Sequence, residues 1–319
     1  TSGDVDVKAV IGGDVRVQVN FRDEGVKWLH VGLTSQDVVD TALMLCARSA
    51  LDQIADDLGR CAGALAKLAG QHRQTIMVGR TLTQHAVPIT FGLKAAGWLD
   101  GVLDALDGIV LARNGLRVQC GGAAGTLAAI AELADDHGID WSAGLAAELS
   151  LADSRPWHTR RTPVTVIGDV LVTTTDALGH LASDLVVLSR PEIAEVSEPA
   201  GEGRGGSSTM PQKRNPVLAV LIRRAAATAP LLGSQLHLAS AQAVDERPEG
   251  AWHTEWQPLA LLARHAVTAA SQAAELLEGL EVHADAMAAT VQRAMPGLLA
   301  ERASIRALTG RPAEAADPS

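Results

Sequence analysis

The sequence predicts an all-α protein built on long antiparallel helices, and three observations carry that reading. Composition is the first: hydrophobic residues are 47% of the 319, whereas aromatics are 3%, with six Trp, two Phe and no Tyr. A core so poor in rings must be filled by Leu, Val, Ile and Ala, and Leu and Ala favour helix. Periodicity is the second: from Thr34 onward apolar residues such as Leu43, Cys46, Ala47, Ala50, Leu51 and Ile54 recur at helical spacing. The third is segment length, because the periodic stretches outrun ordinary strands.

The elements follow in order. Val15, Val17, Val19 and Phe21 alternate with polar partners after Gly12-Gly13, which reads as a short β-hairpin. Thr34-Ser35-Gln36-Asp37 approximates a capping box with Asp in place of Glu, so a helix starts here, and Gly70 is its expected stop. Pro88 suits a first helical turn and opens a second helix through Leu93, Trp98 and Leu106. Cys120-Gly121-Gly122 breaks the pattern, and a shorter helix follows. Thr162-Pro163 starts a third long helix to about Leu188; its Val and Thr content suits a strand, but its length does not. Residues 199–216 are the least helical stretch of the middle. Asn215-Pro216 reads as the cap and first turn of a helix to about Leu238, and Pro258 opens another to Leu280. Arg311 to Ser319 is polar and Pro-containing, and is expected to fray.

Charge and cysteine usage exclude several functions. The formal net charge is −10, so a general basic surface for nucleic acid is not expected, and an anionic ligand would need locally concentrated positive charge. No run of 18 apolar residues predicts a membrane span, and Thr1 to Asp6 lacks a basic signal-peptide start. Cys46, Cys61 and Cys120 are widely spaced and odd in number, which fits a reduced, cytoplasmic protein with no disulfide framework and no metal site. They read as small buried hydrophobes. Trp252 and Trp256 share a helical face and read as packing.

The glycine-rich segment is the most informative. Gly203, Gly205, Gly206, Ser207 and Ser208 give a loop of hydroxyls and exposed N–H groups, of the kind that closes over substrates. Lys213 and Arg214 follow, then a helix N-terminus, a natural place for an anion. From Arg204 to Arg224 the chain has Arg204, Lys213, Arg214, Arg223 and Arg224 and no acidic residue, the local positive charge that an anionic ligand demands.

Gly206-Ser-Ser-Thr-Met-Pro-Gln-Lys-Arg-Asn-Pro216 resembles the signature loop of the fumarase/aspartase superfamily. Gly32-Leu-Thr-Ser-Gln-Asp-Val-Val-Asp-Thr41 and Gly79-Arg-Thr-Leu-Thr-Gln-His-Ala-Val-Pro88 resemble its first and second regions, in the right order. The resemblance runs from about Trp28 to Leu299. It implies a bundle of long helices that joins a homotetrameric helical core, with each active site shared by three subunits. It implies a central domain over 34–280, flanked by segments 1–33 and 281–319 that read as incomplete small domains. The implied chemistry is cofactor-free elimination, or its reverse, beside a carboxylate. Ser207 would be the general base, and Lys213 and Asn215 would grip the carboxylate. Thr34, Ser35, Thr81, Gln84 and Ser208 would line the pocket. A serine is a weak base at its free pKa, so the loop N–H groups and Lys213 must hold its alkoxide.

Two departures refine the expectation. Most lyases of the superfamily carry His after the Thr of the second region, paired with a Glu seven residues after the signature Lys. Here those positions are Leu82 and Val220. The pair helps protonate a leaving nitrogen or oxygen, and a carboxylate nucleophile, already ionised at neutral pH, needs no such help. The resemblance therefore implies the superfamily's cycloisomerase reaction, closure of the tricarboxylate 3-carboxymuconate to 4-carboxymuconolactone. Pro156-Trp-His-Thr159 and Gly250-Ala-Trp-His-Thr-Glu-Trp256 resemble the bacterial cycloisomerases too. The alternatives are a C–N lyase of the adenylosuccinate type and a non-catalytic relative. His85 and His158 are candidate proton carriers or carboxylate partners, with a structural role equally open. Arg161 is open between a bidentate carboxylate clamp and a surface arginine.

Overall fold

The structure is a computed structural model describing residues 30–133, 138–199, 201, 204–206, 209–210 and 213–309. Among them it is mostly helical. The order is α1 Ser35–Gln71, β1 Ile76–Thr81, β2 Gln84–Thr90, α2 Phe91–Asn114, α3 Ala128–Leu133, α4 Gly138–Leu149 and α5 Thr162–Leu188. There follow β3 Val196–Ser197, α6 Val217–Ala241, α7 Gly250–Thr254, α8 Trp256–Glu278, β4 Glu281–Val282, α9 Ala284–Leu298 and α10 Ala300–Thr309. The hairpin expected at 15–21 and the fraying end at 311–319 lie outside the described residues.

Most helices lie where the sequence places them. At the start of α1, Asp37 Oδ2 accepts the Thr34 N–H at 2.9 Å, the carboxylate half of a capping box. α5 keeps its expected bounds despite its Val and Thr, because several Thr hydroxyls return to carbonyls of their own helix, as Thr174 does to Val170 at 2.8 Å. α8 starts at Trp256 and has Pro258 in its first turn, where a missing N–H costs nothing.

Pro88 is the correction. It lies in β2, paired with Val78, and the helix starts only at Phe91. A two-stranded hairpin has only edge strands, where a residue without an N–H is tolerated. The hairpin escaped prediction because its turn carries no Gly or Asn. Leu82 (φ 49°) and Thr83 (φ 71°) both hold left-handed backbone between the paired Thr81 and Gln84. That is the geometry of a tight hairpin turn, which Asn-Gly ordinarily supplies.

The described chain divides into two compact units. Unit 1 comprises residues up to 57, 104–176 and 224–271; unit 2 comprises 58–103, 177–223 and 272 onward. Unit 1 buries Leu51, Ile54, Ile109, Leu171, Leu236 and Leu262, and α5 and α6 approach closely in it. A Cβ at Gly168 would stand 2.6 Å from Leu236, and one at Gly233 2.8 Å from Val172. Gly168→Val should destabilise the fold by about 1–3 kcal/mol through overpacking; an unchanged thermal midpoint would show that the contact yields. Unit 2 buries Leu65, Met77, Phe91, Leu178, Leu185 and Ile222, with Phe91 edge-on to Trp98. Its hairpin packs on α9. α5 and α6 are long and apolar enough to cross a membrane by length and composition, and 44% and 33% of their most apolar windows are buried within the fold.

Candidate active site

The first candidate region forms around one carboxylate of unit 1. Asp37 Oδ1 accepts the Gly121 N–H at 3.0 Å and stands 2.7 Å from His158 Nε2. Its Oδ2 accepts the N–H groups of Gly122 and Thr34, both at 2.9 Å. Four donors saturate a carboxylate, so Asp37 ties the start of α1 to the glycine turn and to the 157–158 segment. The turn needs glycine: a Cβ at Gly121 would fall 2.6 Å from His158 Cε1, and Gly122 has φ +70°. Thr34 is buried at this hub, whereas Ser35 is exposed. His158 is only 3% exposed and turned inward onto Asp37.

Beside it lies a second buried cluster. Arg161 Nη1 and Nη2 donate to the two oxygens of Asp40 at 2.7 and 3.0 Å. Its Nε and Nη2 donate to Glu255 at 3.0 and 2.7 Å. Trp252 Nε1 and Gln36 Nε2 complete Asp40 at 3.0 and 3.2 Å. Arg161 is 1% exposed, so it is not a surface arginine, and the carboxylates in its fork belong to the protein. No part of the fork faces outward to take a ligand in this structure, because burial turned the bidentate geometry onto partners from α1 and the α7–α8 junction. Burial works against the charged guanidinium, but hydrogen bonds and attraction from Glu255 and Asp40 outweigh it and raise its pKa. Burial, helped by the charge of Asp40, pushes the Glu255 carboxyl up against the pull of Arg161. Trp252 also packs edge-on to Trp256 with centroids 5.0 Å apart, so packing is only part of its role.

Unit 2 holds the second and signature regions. Thr81, Gln84 and His85 are exposed on the hairpin, and Leu82 at its tip is 96% exposed. Arg80 anchors the hairpin by donating to both oxygens of buried Glu195 at 3.0 and 2.9 Å. In the signature segment Ser207 and Ser208 lie outside the described residues, and Lys213 is exposed. Asn215 donates through its backbone N–H and Nδ2 to Gly205 O at 2.9 and 3.1 Å, cinching the neck of the segment, where Gly205 has φ +76°. Arg204 reaches Glu275 at 2.7 Å.

The anion position expected at the start of α6 is already filled. The Glu198 carboxylate accepts the N–H groups of Leu218 and Ala219 at 3.0 and 2.7 Å, so the protein's own anion takes the helix N-terminus. Sequence reasoning misses Glu198 because no motif ties it to a helix starting at 217. Glu198→Ala should cost about 1–2 kcal/mol, the range of a lost cap, read as a lower urea midpoint; an unchanged midpoint would deny it a capping role.

The thiols are poor nucleophiles. Burial, then the charges of Asp37 and Asp153, push Cys120 up to about 11, and burial raises Cys46. Among the described residues no group of three His, Cys, Asp or Glu side chains is arranged to hold a metal.

A helical frame carrying these three regions defines a class. Residues 2–231 match the lyase family model, Lyase_1, and the chain belongs to this family of the fumarase/aspartase superfamily. The match begins well before Trp28, where the motif resemblance starts. Among individual relatives, nitrosuccinate lyase of Streptomyces davaonensis is 50% identical over 86% of this chain and 59% of its own length. The 3-carboxy-cis,cis-muconate cycloisomerase of Bradyrhizobium diazoefficiens is 42% identical over 90% of this chain and 63% of its own. The crystal structure of 3-carboxy-cis,cis-muconate lactonizing enzyme from Pseudomonas putida superposes with a TM-score of 0.82 at 37% identity, over 90% of this chain and 63% of that one. The chain thus spans less than two thirds of the length of these relatives.

Proposed function

We propose that the protein catalyses elimination from, or addition to, the carbon beside a carboxylate of a small polycarboxylate, with a reacting group that enters or leaves as a stable anion. One observation carries this reading: Leu82 and Val220 stand where most of the superfamily has its proton-donating pair. They are 96% and 51% exposed, and neither can titrate. In the proposed reaction Ser207 exchanges the proton on the α-carbon, and Lys213 stabilises the aci-carboxylate dianion that results. A leaving amine or alkoxide would depart unprotonated and slowly; a carboxylate or nitrite needs no proton. The sites form in a homotetramer from regions of different copies, in the cytoplasm.

The leading substrate is 3-carboxy-cis,cis-muconate, supported by the cycloisomerases among the relatives and solved structures. Its carboxylate oxygen bonds to the ring-closing carbon while the α-carbon takes a proton, giving the lactone. Cleavage of nitrosuccinate to fumarate and nitrite is a second reading, favoured by the 50% identity to nitrosuccinate lyase. Both fit the missing pair, whereas adenylosuccinate does not, because its amine leaves poorly without a proton. Assays following muconate absorbance, nitrite release and adenylosuccinate cleavage decide among them, and turnover of adenylosuccinate alone would sink the proposal. Leu82→His with Val220→Glu should leave turnover of the anionic-group substrate within about threefold, since no leaving-group proton limits it; a large gain would show that a donor is needed.

A further inference from the structure

A polar cleft of about 550 Å³ opens in unit 2 between the β1–β2 hairpin, the start of α2, the end of α5 with the turn after it, and α9. Arg80, Lys94, Arg190 and Arg293 line it. Two of these cations are committed to carboxylates: Arg80 to Glu195 at 2.9 Å and Lys94 to Asp184 at 3.0 Å. Arg190 and Arg293 are not. Neither has an ion pair among the described residues, and Arg293 Nη2 donates only to the Thr290 hydroxyl at 3.0 Å. The lining carboxylates are Asp184, already taken by Lys94 and by Trp98 Nε1 at 2.9 Å, and Glu192, which is exposed. The hairpin adds Thr83 and His85 as hydrogen-bonding groups.

A concave site lined by excess charge of one sign concentrates counter-ions. An arginine fork suits a carboxylate, which meets it with two parallel hydrogen bonds. Two forks without a carboxylate partner in one cleft call for a ligand with at least two carboxylates, and the volume suits a small molecule. We propose that this cleft is a binding site for a small polycarboxylate, held by Arg190 and Arg293 through separate carboxylates, with Thr83 and His85 contacting it from the hairpin. Among the other pocket residues that the resemblance assigns, Thr34, Ser35, Thr81, Gln84, Lys213 and Asn215 do not line the cleft. His85 is shared with the residues that the resemblance implies, whereas Arg190 and Arg293, which carry the inference, are not among them. Its consequence is that a bound anion stiffens the hairpin that presents Thr81 and Gln84.

Calorimetric titration of the full chain with citrate, acetate and inorganic phosphate tests it. Citrate should bind more tightly than acetate or phosphate. Arg190→Gln with Arg293→Gln, both exposed and therefore tolerated by the fold, should weaken citrate at least about tenfold, the effect of one lost charge-assisted hydrogen bond. Glu192→Gln should tighten it by removing the competing carboxylate, and the effect of the double variant should persist in a Lys213→Ala background, where the signature segment has lost its own anion grip. Absence of citrate binding, an affinity indifferent to the double variant, preference for acetate or phosphate, or disappearance of the double variant's effect in the Lys213→Ala background would each overturn the assignment, the last by moving the anion to the signature segment.

Discussion

Arg161→Met is expected to destabilise the protein by about 3–5 kcal/mol, the cost of removing one partner from a buried ion cluster. Asp40 and Glu255 are 0% and 1% exposed, and the guanidinium between them donates to both carboxylates. Without it, two neighbouring carboxylates are left in a medium that cannot hydrate them. Trp252 and Gln36 still reach Asp40, but neither carries charge. Urea unfolding followed by circular dichroism reads the loss, and a change below about 1 kcal/mol would mean that water enters freely enough to replace the arginine. Glu255→Gln is the matched comparison. It leaves one guanidinium facing one carboxylate and should cost clearly less than Arg161→Met. Equal losses would show that shape, not charge balance, holds the cluster.

Ser207→Ala should reduce turnover by about a thousandfold or more, the scale of removing a positioned proton-transfer group together with its electrostatic partners, while helicity and assembly stay intact. The residue lies in the segment whose neck is cinched by Asn215, which donates through its backbone N–H and Nδ2 to Gly205 O. Circular dichroism and size-exclusion chromatography should therefore overlay the parent. Near-normal kcat on the substrate identified by the assays would take the base role from Ser207, and loss of helicity would expose a structural role instead.

The long helices were legible because each has a local cause in its own sequence: the Thr34–Asp37 box, Pro258 in a first turn, and uninterrupted apolar periodicity across 162–188. The hairpin was not, because its turn runs against local preference and is held by α9, far along the chain. The three motif regions were legible as strings. Their internal wiring was not, since a spacing pattern does not say which way a side chain turns. The sequence leaves His158 open between a carboxylate partner and a structural role and Arg161 between a carboxylate clamp and a surface arginine; in the fold they bond Asp37, Asp40 and Glu255, acids from α1 and the α7–α8 junction. Asp37 is visible in the sequence as a cap; that it also gathers Gly121, Gly122 and His158 could be known only from the folded chain.

The turn at Leu82 and Thr83 bears on the order in which the molecule assembles. A hairpin closed by Asn-Gly can form on its own within microseconds. This one begins with two unfavourable residues, and its anchoring contacts come from Glu195 and from a helix that starts only at Ala284. It cannot pair stably until those distant parts are in place, and loop closure over such separations slows folding. The segment that presents Thr81, Gln84 and His85 should thus be among the last to gain protection in pulsed hydrogen exchange. Competence for ligands would then be the final event of folding, gained only once the frame that supports it has formed.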